Sequence, residues 1–401
     1  VKFSEKILIT ASLLLAGFVA AQAIEPASPQ FEGIDLRLLE DNMASRQLGI
    51  RGLRLNLYGG GIWVYDDNIF STNTNTQKDS IWVQTLGSSL VYDRGAGLDL
   101  NLSAVYRHFD FHNTKLGYET YKLAASGNLD VFNSTVLTLD GGHSRDVGPV
   151  DPVLAFANIV TETDSMRVAL AHTLSDRTGV SLSLGSRQRR YIKDWPGSDS
   201  KRHEVIASAY HSLNPKTRLL AELISEFNRY DGSAQNNSDI WQTNVGVTHS
   251  FTDKIAATAK VGYQDRNYDQ TLAGDRNFAD FVYSLSLNFQ PNPHWQHTLS
   301  MVQTAVESEA SNFYKYQRYA FDTVYSPVNR LKLSGGVFID DMRPSANVAA
   351  SDRFGAQFAI TYALSELLTT GVSYKYTTKN SDNATAEYSR NVTALGVWLT
   401  F

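Results

Sequence analysis

The sequence contains no cysteine. Disulfide staples, thiolate-bound metals and a cysteine nucleophile are therefore excluded. Positive charge is not in excess either: 36 Lys and Arg stand against 41 Asp and Glu, for a net charge of −5. Such a balance offers no basic surface to a phosphate backbone, which argues against nucleic acid as a partner. Beyond residue 23 there is no run of about 18 apolar residues, the least that a spanning helix needs. If this chain enters a membrane, it does so with strands.

What is present begins with "VKFSEKILITASLLLAGFVAAQA". Lys2 and Lys6 precede an apolar run from Ile7 to Ala20, and Ala21-Gln22-Ala23 forms a small-x-small cleavage signal. This predicts a secretory signal peptide over residues 1–23. The run is short for a transmembrane anchor, which needs about 20 residues. Residues 24–51 form a separate arm. Ile34, Leu38, Leu39 and Met43 fall at helical spacing behind Asp35, a candidate cap, which predicts a short amphipathic helix or a loose periplasmic arm.

From residue 52 to residue 401 the apolar period is two. Leu98, Leu100, Leu102, Ala104 and Tyr106 alternate with polar neighbours, and so do Val180, Leu182 and Leu184, and Phe281, Tyr283, Leu285, Leu287 and Phe289. Alternation of this kind is the mark of strands with one apolar face. Short links such as 94–97, 214–216, 252–254 and 327–329 alternate with longer ones at 66–79, 148–159, 193–200, 231–238, 269–277, 344–352 and 380–386. A soluble sandwich would have strands of about five to six residues. The segments here are longer, and a membrane strand needs about 9–11 residues. The expected fold is all-β: a single transmembrane antiparallel β-barrel of about 18 strands in the bacterial outer membrane, with short periplasmic turns and longer outer loops. Tyr and Trp near the strand ends fit the two interfacial girdles.

The chain closes on "NVTALGVWLTF", with Leu395, Val397, Leu399 and Phe401 at every second position. An open sheet edge has no place in lipid. The last strand is therefore expected to pair with the first, with its final residue paired and buried.

Near the start of the strand region, "YDDNIF" (with Asp66, Asp67 and Asn68) is followed by "IWVQTLGSSLVYD" and "GLDLNLSAVYRHFDF". These stretches resemble the β-barrel porin family encoded within bacterial exopolysaccharide operons. The likeness is strongest over residues 53–131 and architectural beyond them. It implies an outer-membrane barrel that lets a polysaccharide chain leave the cell, with polysaccharide and periplasmic export components as partners. The terminal strand ending in Phe401 likewise resembles the signal read by the outer-membrane assembly machinery. Read from its residues alone, Asp66-Asp67-Asn68 is a loop start, since Asx side chains turn chains. A divalent-cation site shared with lipopolysaccharide is the sharper alternative, there and at Asp340-Asp341.

Strand parity assigns charges to faces. The lumen candidates are Arg107, Arg187, Arg189, Glu222, Lys260, Arg266, Asp322, Lys332, Asp340 and Lys375, with Asp99, Asp140, Glu226 and Asp280 among further acids. They form either a mutually paired, wetted wall or a mixed-charge track for a hydrated polymer. Arg145, Arg190 and Arg229 point outward near strand tops, toward outer-membrane lipid and lipopolysaccharide phosphates. His108, Asp110 and His112 share the lipid-side row and make a solvated rim or, less simply, a metal site. Spacing places no serine beside His108, so no enzyme is expected, and no cofactor.

The expected function is passive conduction of exopolysaccharide through a lumen lined by Ser, Thr, Asn, Gly and paired charges. The alternatives are a small-solute diffusion porin and a closed barrel with a binding or structural role. No link is long enough to resemble the infolded loop of a diffusion porin. The apolar stretch "GPVDPVLAFANI" (148–159) is the candidate for narrowing the mouth, with arm 24–51 as a second plug.

Replacing Phe401 by Lys should lower the yield of the heat-modifiable folded form more than any single lumen substitution does. Gel mobility of unheated membranes measures this, and a wild-type yield would remove the closing role assigned to this residue.

Overall fold

The structure is a computed structural model that describes residues 48–50, 52–93, 97–132, 134–148, 159–192, 199–231, 236–269, 277–308, 311–346 and 349–401. The expected signal peptide lies outside the described residues, as does the arm up to residue 47. The strands are β1 (Leu48–Ile50), β2 (Leu53–Asp66), β3 (Asp79–Asp93), β4 (Leu98–Phe111), β5 (Gly117–Phe132) and β6 (Thr135–Gly148). Next come β7 (Ile159–Ser175), β8 (Thr178–Tyr191), β9 (Asp199–Asn214), β10 (Thr217–Asp231), β11 (Ser238–Thr252), β12 (Ile255–Tyr268) and β13 (Phe278–Asn292). The last are β14 (Trp295–Glu307), β15 (Phe313–Val328), β16 (Leu331–Pro344), β17 (Ser351–Ala363), β18 (Leu368–Ser381) and β19 (Tyr388–Thr400).

Each strand pairs antiparallel with its chain neighbours, and β19 pairs with β2. The eighteen strands β2–β19 thus form one closed barrel. β1 lies within the expected arm, but it already belongs to the sheet: Leu48 faces Leu55 and Ile50 faces Leu53. It takes the edge of β2 below the point where β19 ends. Among the described residues no helix is long and apolar enough to cross a membrane; the crossing is made by strands.

Two-residue turns such as 253–254 and 329–330 join the strands at one rim. The longer connections lie at the other, extracellular rim. Two of these, 112–116 and 308–312, are absent from the links read in the sequence. The first is a compact turn with Lys115 at φ 51°, and the second joins β14 to β15.

The alternation sorts side chains cleanly. On the outer row Leu86, Leu223, Val245 and Phe281 are 60–65% exposed, as a lipid-facing belt requires. A charge there would cost about 2–4 kcal/mol at the midplane, and the charges accordingly gather on the inner row. Leu395, Val397, Leu399 and Phe401 lie on the outer row of β19. The amide of Phe401 donates to Leu57 O at 2.8 Å. Its ring is 57% exposed, so the terminal residue is paired as expected but faces lipid instead of being buried by protein.

The seam between β19 and β2 is packed from inside by Trp398, which is fully buried. Its indole lies against Gly60 and Gly396. A Cβ on Gly60 would come within 2.5 Å of the ring and 2.7 Å of Val397 O. Glycine is needed here because a flat ring and a backbone occupy the side-chain space. The same arrangement sets Phe338 over Gly355 and Tyr58 over Gly87.

Gly60→Val should therefore destabilise the closing seam by about 1–3 kcal/mol, the usual cost of overpacking. The midpoint of urea unfolding in detergent micelles would report it, and an unchanged midpoint would mean that Trp398 does not hold the seam.

Candidate channel lumen

Most inner-row charges meet a partner on the next strand. Arg167 Nη2 lies 2.7 Å from Asp140 Oδ2, while Lys260 of β12 reaches past β11, its Nζ 2.8 Å from Glu222 Oε1 on β10. Arg202 bonds Glu226. Asp340, fully buried, accepts from Arg353 Nε at 2.9 Å and from Tyr316 Oη at 2.9 Å, with Arg318 at 3.6 Å. Arg107, Arg187, Arg189, Asp322, Lys332 and Lys375 also occupy inner rows, on β4, β8, β15, β16 and β18. Of the ten candidates, Glu222 and Lys260 form a direct pair, and the others are spread round the wall. Arg353, Arg390 and Arg202 complete the main pairs and are not among the candidates. Their signal is parity: each sits opposite or diagonal to an inner-row acid.

Asp66-Asp67-Asn68 starts the loop after β2 as expected, with Asn68 N donating to Asp66 Oδ1 and Thr72 N to Asn68 Oδ1, both at 3.0 Å, and it has a further role. Asp66 is fully buried and accepts from Arg390 Nε at 3.0 Å and Nη2 at 2.5 Å. Asp67 accepts from Asn391 N and Nδ2, both at 2.7 Å. Asn68 Nδ2 donates to Ser389 O at 2.9 Å. The motif bolts the upper end of β2 to β19, just above the last ladder pair, Asp66 with Val392. Its carboxylates are engaged by these donors, which corrects the cation-site alternative. Asp340 is likewise engaged by Arg353 and Tyr316.

The wall is not polar throughout. Ile62, Val64, Ile81, Val83, Phe109 and Phe111 lie on inner rows of β2–β4, buried together with Trp398. The connection after β2 turns inward and sets Ile69 on this cluster, with Phe70 beside it. This corrects the expected lining of Ser, Thr, Asn, Gly and paired charges. In "GIWVY" both faces are apolar, so alternation does not mark the inner one.

Among the described residues, β14 and β15 leave the wall for the lumen. The β13–β14 ladder runs from Asn292 opposite Trp295 up to Tyr283 opposite Gln303, and ends there. Above it, the β14–β15 pairing continues unbroken to Glu307 opposite Phe313. Ala305 and Phe313 belong to the outer row of this hairpin, yet both are buried. They pack on Tyr268, Phe278 and Val282, which are inner-row residues of β12 and β13. Phe313 stacks 6.3 Å from Tyr268 and meets Phe278 edge-on at 5.1 Å. The outer face of the hairpin thus lies on the inner face of the wall, which means that the hairpin bends into the lumen.

Side chains seal the lap. Ala305 N donates to Gln264 Oε1 at 3.2 Å, Gln303 Nε2 to Phe281 O at 2.7 Å, and Lys315 Nζ to Asp280 Oδ2 at 2.5 Å. The tip lies along the neighbouring wall, on β10 and β12. Tyr230 Oη donates to Glu307 Oε2 at 2.9 Å, and Tyr268 Oη to Asn312 O at 2.8 Å. The field of Glu307 acts on Arg189, Arg202 and Arg266. The expectation that 148–159 narrows the mouth concerns residues 149–158, which lie outside the described residues.

At the outer rim, Arg190 bonds Asp164 at 2.7 Å and Arg229 bonds Asp239 at 2.6 Å. His108 lies 3.7 Å from Glu119. Among the described residues no group of three or more His, Asp or Glu is placed to hold a metal.

A closed eighteen-stranded antiparallel barrel, apolar outside and charged inside, is an outer-membrane porin, and its place is the bacterial outer membrane. The chain belongs to the family described as putative beta-barrel porin 2, which matches residues 61–401. No curated protein sequence matches it. Among solved structures it is similar to a BenF-like porin from Pseudomonas fluorescens Pf-5, with 14% identity over 88% of this chain and 100% of that one, at TM-score 0.53. It is also similar to OccAB2 of Acinetobacter baumannii (13% identity, 88% and 98% covered, TM-score 0.51). OccK2 (OpdF) of Pseudomonas aeruginosa, solved with glucuronate, gives 11% identity, 87% and 98% covered, and TM-score 0.51. At these identities the likeness is one of fold.

Arg353→Met would leave the carboxylate of Asp340 buried beside Arg318 and Tyr316 alone. Breaking such a pair costs about 3–5 kcal/mol, which equilibrium unfolding in urea should register. A loss under about 1 kcal/mol, the value of an exposed pair, would contradict the buried geometry.

Proposed function

We propose that this porin is a size-limited diffusion channel for small hydrophilic solutes. The observation that carries this is the infolded β14–β15 hairpin, which places Ala305, Glu307 and Phe313 inside the ring of strands. A hydrated polymer conduit needs an unbroken bore, and a hairpin held by stacked rings and hydrogen bonds stands in its way. The polysaccharide export first expected from the operon-linked resemblance therefore gives way to its alternative. A barrel of this strand number leaves an aqueous channel, and paired inner-row charges keep that channel wet. A sugar hydroxyl exchanges water for these groups at little net cost. Contact with lipopolysaccharide at the outer rim, and recognition of the Phe401 strand by the assembly machinery, belong to the same proposal.

Gln303 and Gln317 face each other across the hairpin. Joining them through a two-residue Asn-Gly turn, a geometry that suits a tight antiparallel return, removes the infolded part and leaves the ladder below it. In swelling assays, proteoliposomes with the native chain should admit monosaccharides and exclude long oligosaccharides. The trimmed chain should admit larger sugars and show higher single-channel conductance in planar bilayers. Free passage of long oligosaccharides through the native chain would restore polymer export.

A further inference from the structure

Three successive short turns carry one sequence pattern. It reads "HTLSDRT" at 172–178, "HSLNPKT" at 211–217 and "HSFTDKI" at 249–255. His172, His211 and His249 each stand four residues before a two-residue turn, on the lipid-facing rows of β7, β9 and β11. Each ring meets a threonine across the ladder. Nδ1 lies 2.8 Å from Thr135 Oγ1 in the first, 2.9 Å from Thr178 Oγ1 in the second and 2.9 Å from Thr217 Oγ1 in the third. The threonines are the first residues of β6, β8 and β10, so the arrangement repeats with the hairpin.

These rings sit at the level of the periplasmic girdle. Phe289 and Tyr325 stand four residues before the turns after β13 and β15, where aromatic rings meet the headgroups. Imidazole keeps the ring and adds a donor. A basic residue completes two of the three units. Arg177 and Lys216, both exposed, directly precede Thr178 and Thr217. Their carbonyls accept from Ser212 N at 2.7 Å and Ser250 N at 2.9 Å, the amides that follow His211 and His249. The backbone thus fixes turn cation and imidazole next to each other. The flanking hairpins hold half of the set each. At His172 the matching turn residue is Ser134, whose carbonyl takes Thr173 N at 2.8 Å. On the other side Lys254 is present, but Ile255 faces Phe289 where threonine would face histidine.

We propose that Arg177 with His211, and Lys216 with His249, form two sites for the phosphodiester headgroup of a phospholipid in the periplasmic leaflet. A threonine hydroxyl that donates to Nδ1 leaves the ring proton on Nε2. Nε2–H then donates to one phosphate oxygen, and the turn cation makes a charge-assisted bond to another. Leu213 and Phe251, 50% and 56% exposed on the same rows, offer apolar contact to the glycerol and acyl ends. Phe251 also packs edge-on against His249 at 4.6 Å. The occupant is a lipid and not free phosphate because the donors stand among exposed apolar side chains, at the height where the surrounding bilayer already places its headgroups. These sites lie on the outer face and do not involve the lumen or its hairpin.

The test titrates the folded chain in detergent micelles with phosphatidylglycerol and, as a phosphate-free counterpart, with monogalactosyl diacylglycerol. Native mass spectrometry counts the lipids retained. Two molecules of phosphatidylglycerol should be held in preference to the galactolipid. His249→Phe keeps a girdle ring of the kind Phe289 supplies, and should weaken one site about fivefold, the worth of one hydrogen bond of about 1 kcal/mol. Thr217→Val, which frees that ring, should weaken the same site, and Lys216→Gln should weaken it further than either. Ile255→Thr combined with Phe289→His completes the unit beside Lys254 and should add a third retained phospholipid. Equal retention of the two lipids by the native chain would overturn the sites. So would retention of phosphatidylglycerol unmoved by His249→Phe and Lys216→Gln together, in barrels that keep the heat-modifiable fold; an ordinary aromatic girdle would then remain. Preference for lipid A over phosphatidylglycerol would overturn the assignment to the periplasmic leaflet.

Discussion

Backbone N–H and C=O groups in lipid have no water to bond, so every strand edge within the membrane must be paired. The rest of this structure depends on that constraint. It dictates that β19 meet β2, and it concentrates specific chemistry where they meet. Asp66, Asp67 and Asn68 bind the upper end of the join through Arg390 and Asn391. Trp398 fills the lower end over Gly60, and Phe401 adds one last backbone bond. The β13–β14 boundary is the exception that shows the rule's reach. Where the ladder stops, above Tyr283 and Gln303, the side chains of Gln264 and Gln303 bond Ala305 N and Phe281 O, backbone groups that strand pairing no longer serves.

Much of the architecture was legible because period two is a strong signal over long strands. The faces of Leu98–Tyr106 and Leu395–Phe401, the strand number and the alternation of short and long links all follow from it. Parity also placed Arg187, Arg189 and Lys260 on inner rows. What parity cannot convey is where a wall leaves its own surface. Parity counted along β14 and β15 puts Ala305 and Phe313 on the row of Leu299 and Phe321, so they read as lipid-facing. They are buried because the strand bends, and bending leaves no trace in the period.

Roles that depend on a distant partner were hidden for a related reason. Asp66-Asp67-Asn68 reads locally as a turn, and its function as a bolt appears only when Arg390 is brought alongside. Trp398 reads as one more aromatic near a strand end. Its use follows from Gly60 and Gly396, which offer the flat space that its indole fills. The inner-row pairs show the same dependence, since Asp340 finds Arg353 and Arg318 on flanking strands. Such pairs belong to the mutually paired wall, one of the two readings of these charges, and the wall's distinctive feature is the hairpin lapped on its inner face.

The β19–β2 join also bears on how the barrel comes into being. Asp66 and Arg390 are 324 positions apart in the chain, whereas the other barrel strand pairs are between chain neighbours. Hairpins can zip in order as the chain is delivered, but closure must wait for the last strand, and the entropy of bringing such remote ends together is spent before any bond rewards it. Through that interval the edge of β2 is a template for the wrong partner. β1, next to β2 in the chain, pairs with its lower residues, Leu53–Leu55, and covers that part of the edge. The upper residues, Tyr58–Asp66, are left for β19. A short strand at the base of the barrel thus acts as a built-in guard on register, leaving the late-arriving terminus a single edge of fixed length on which to dock.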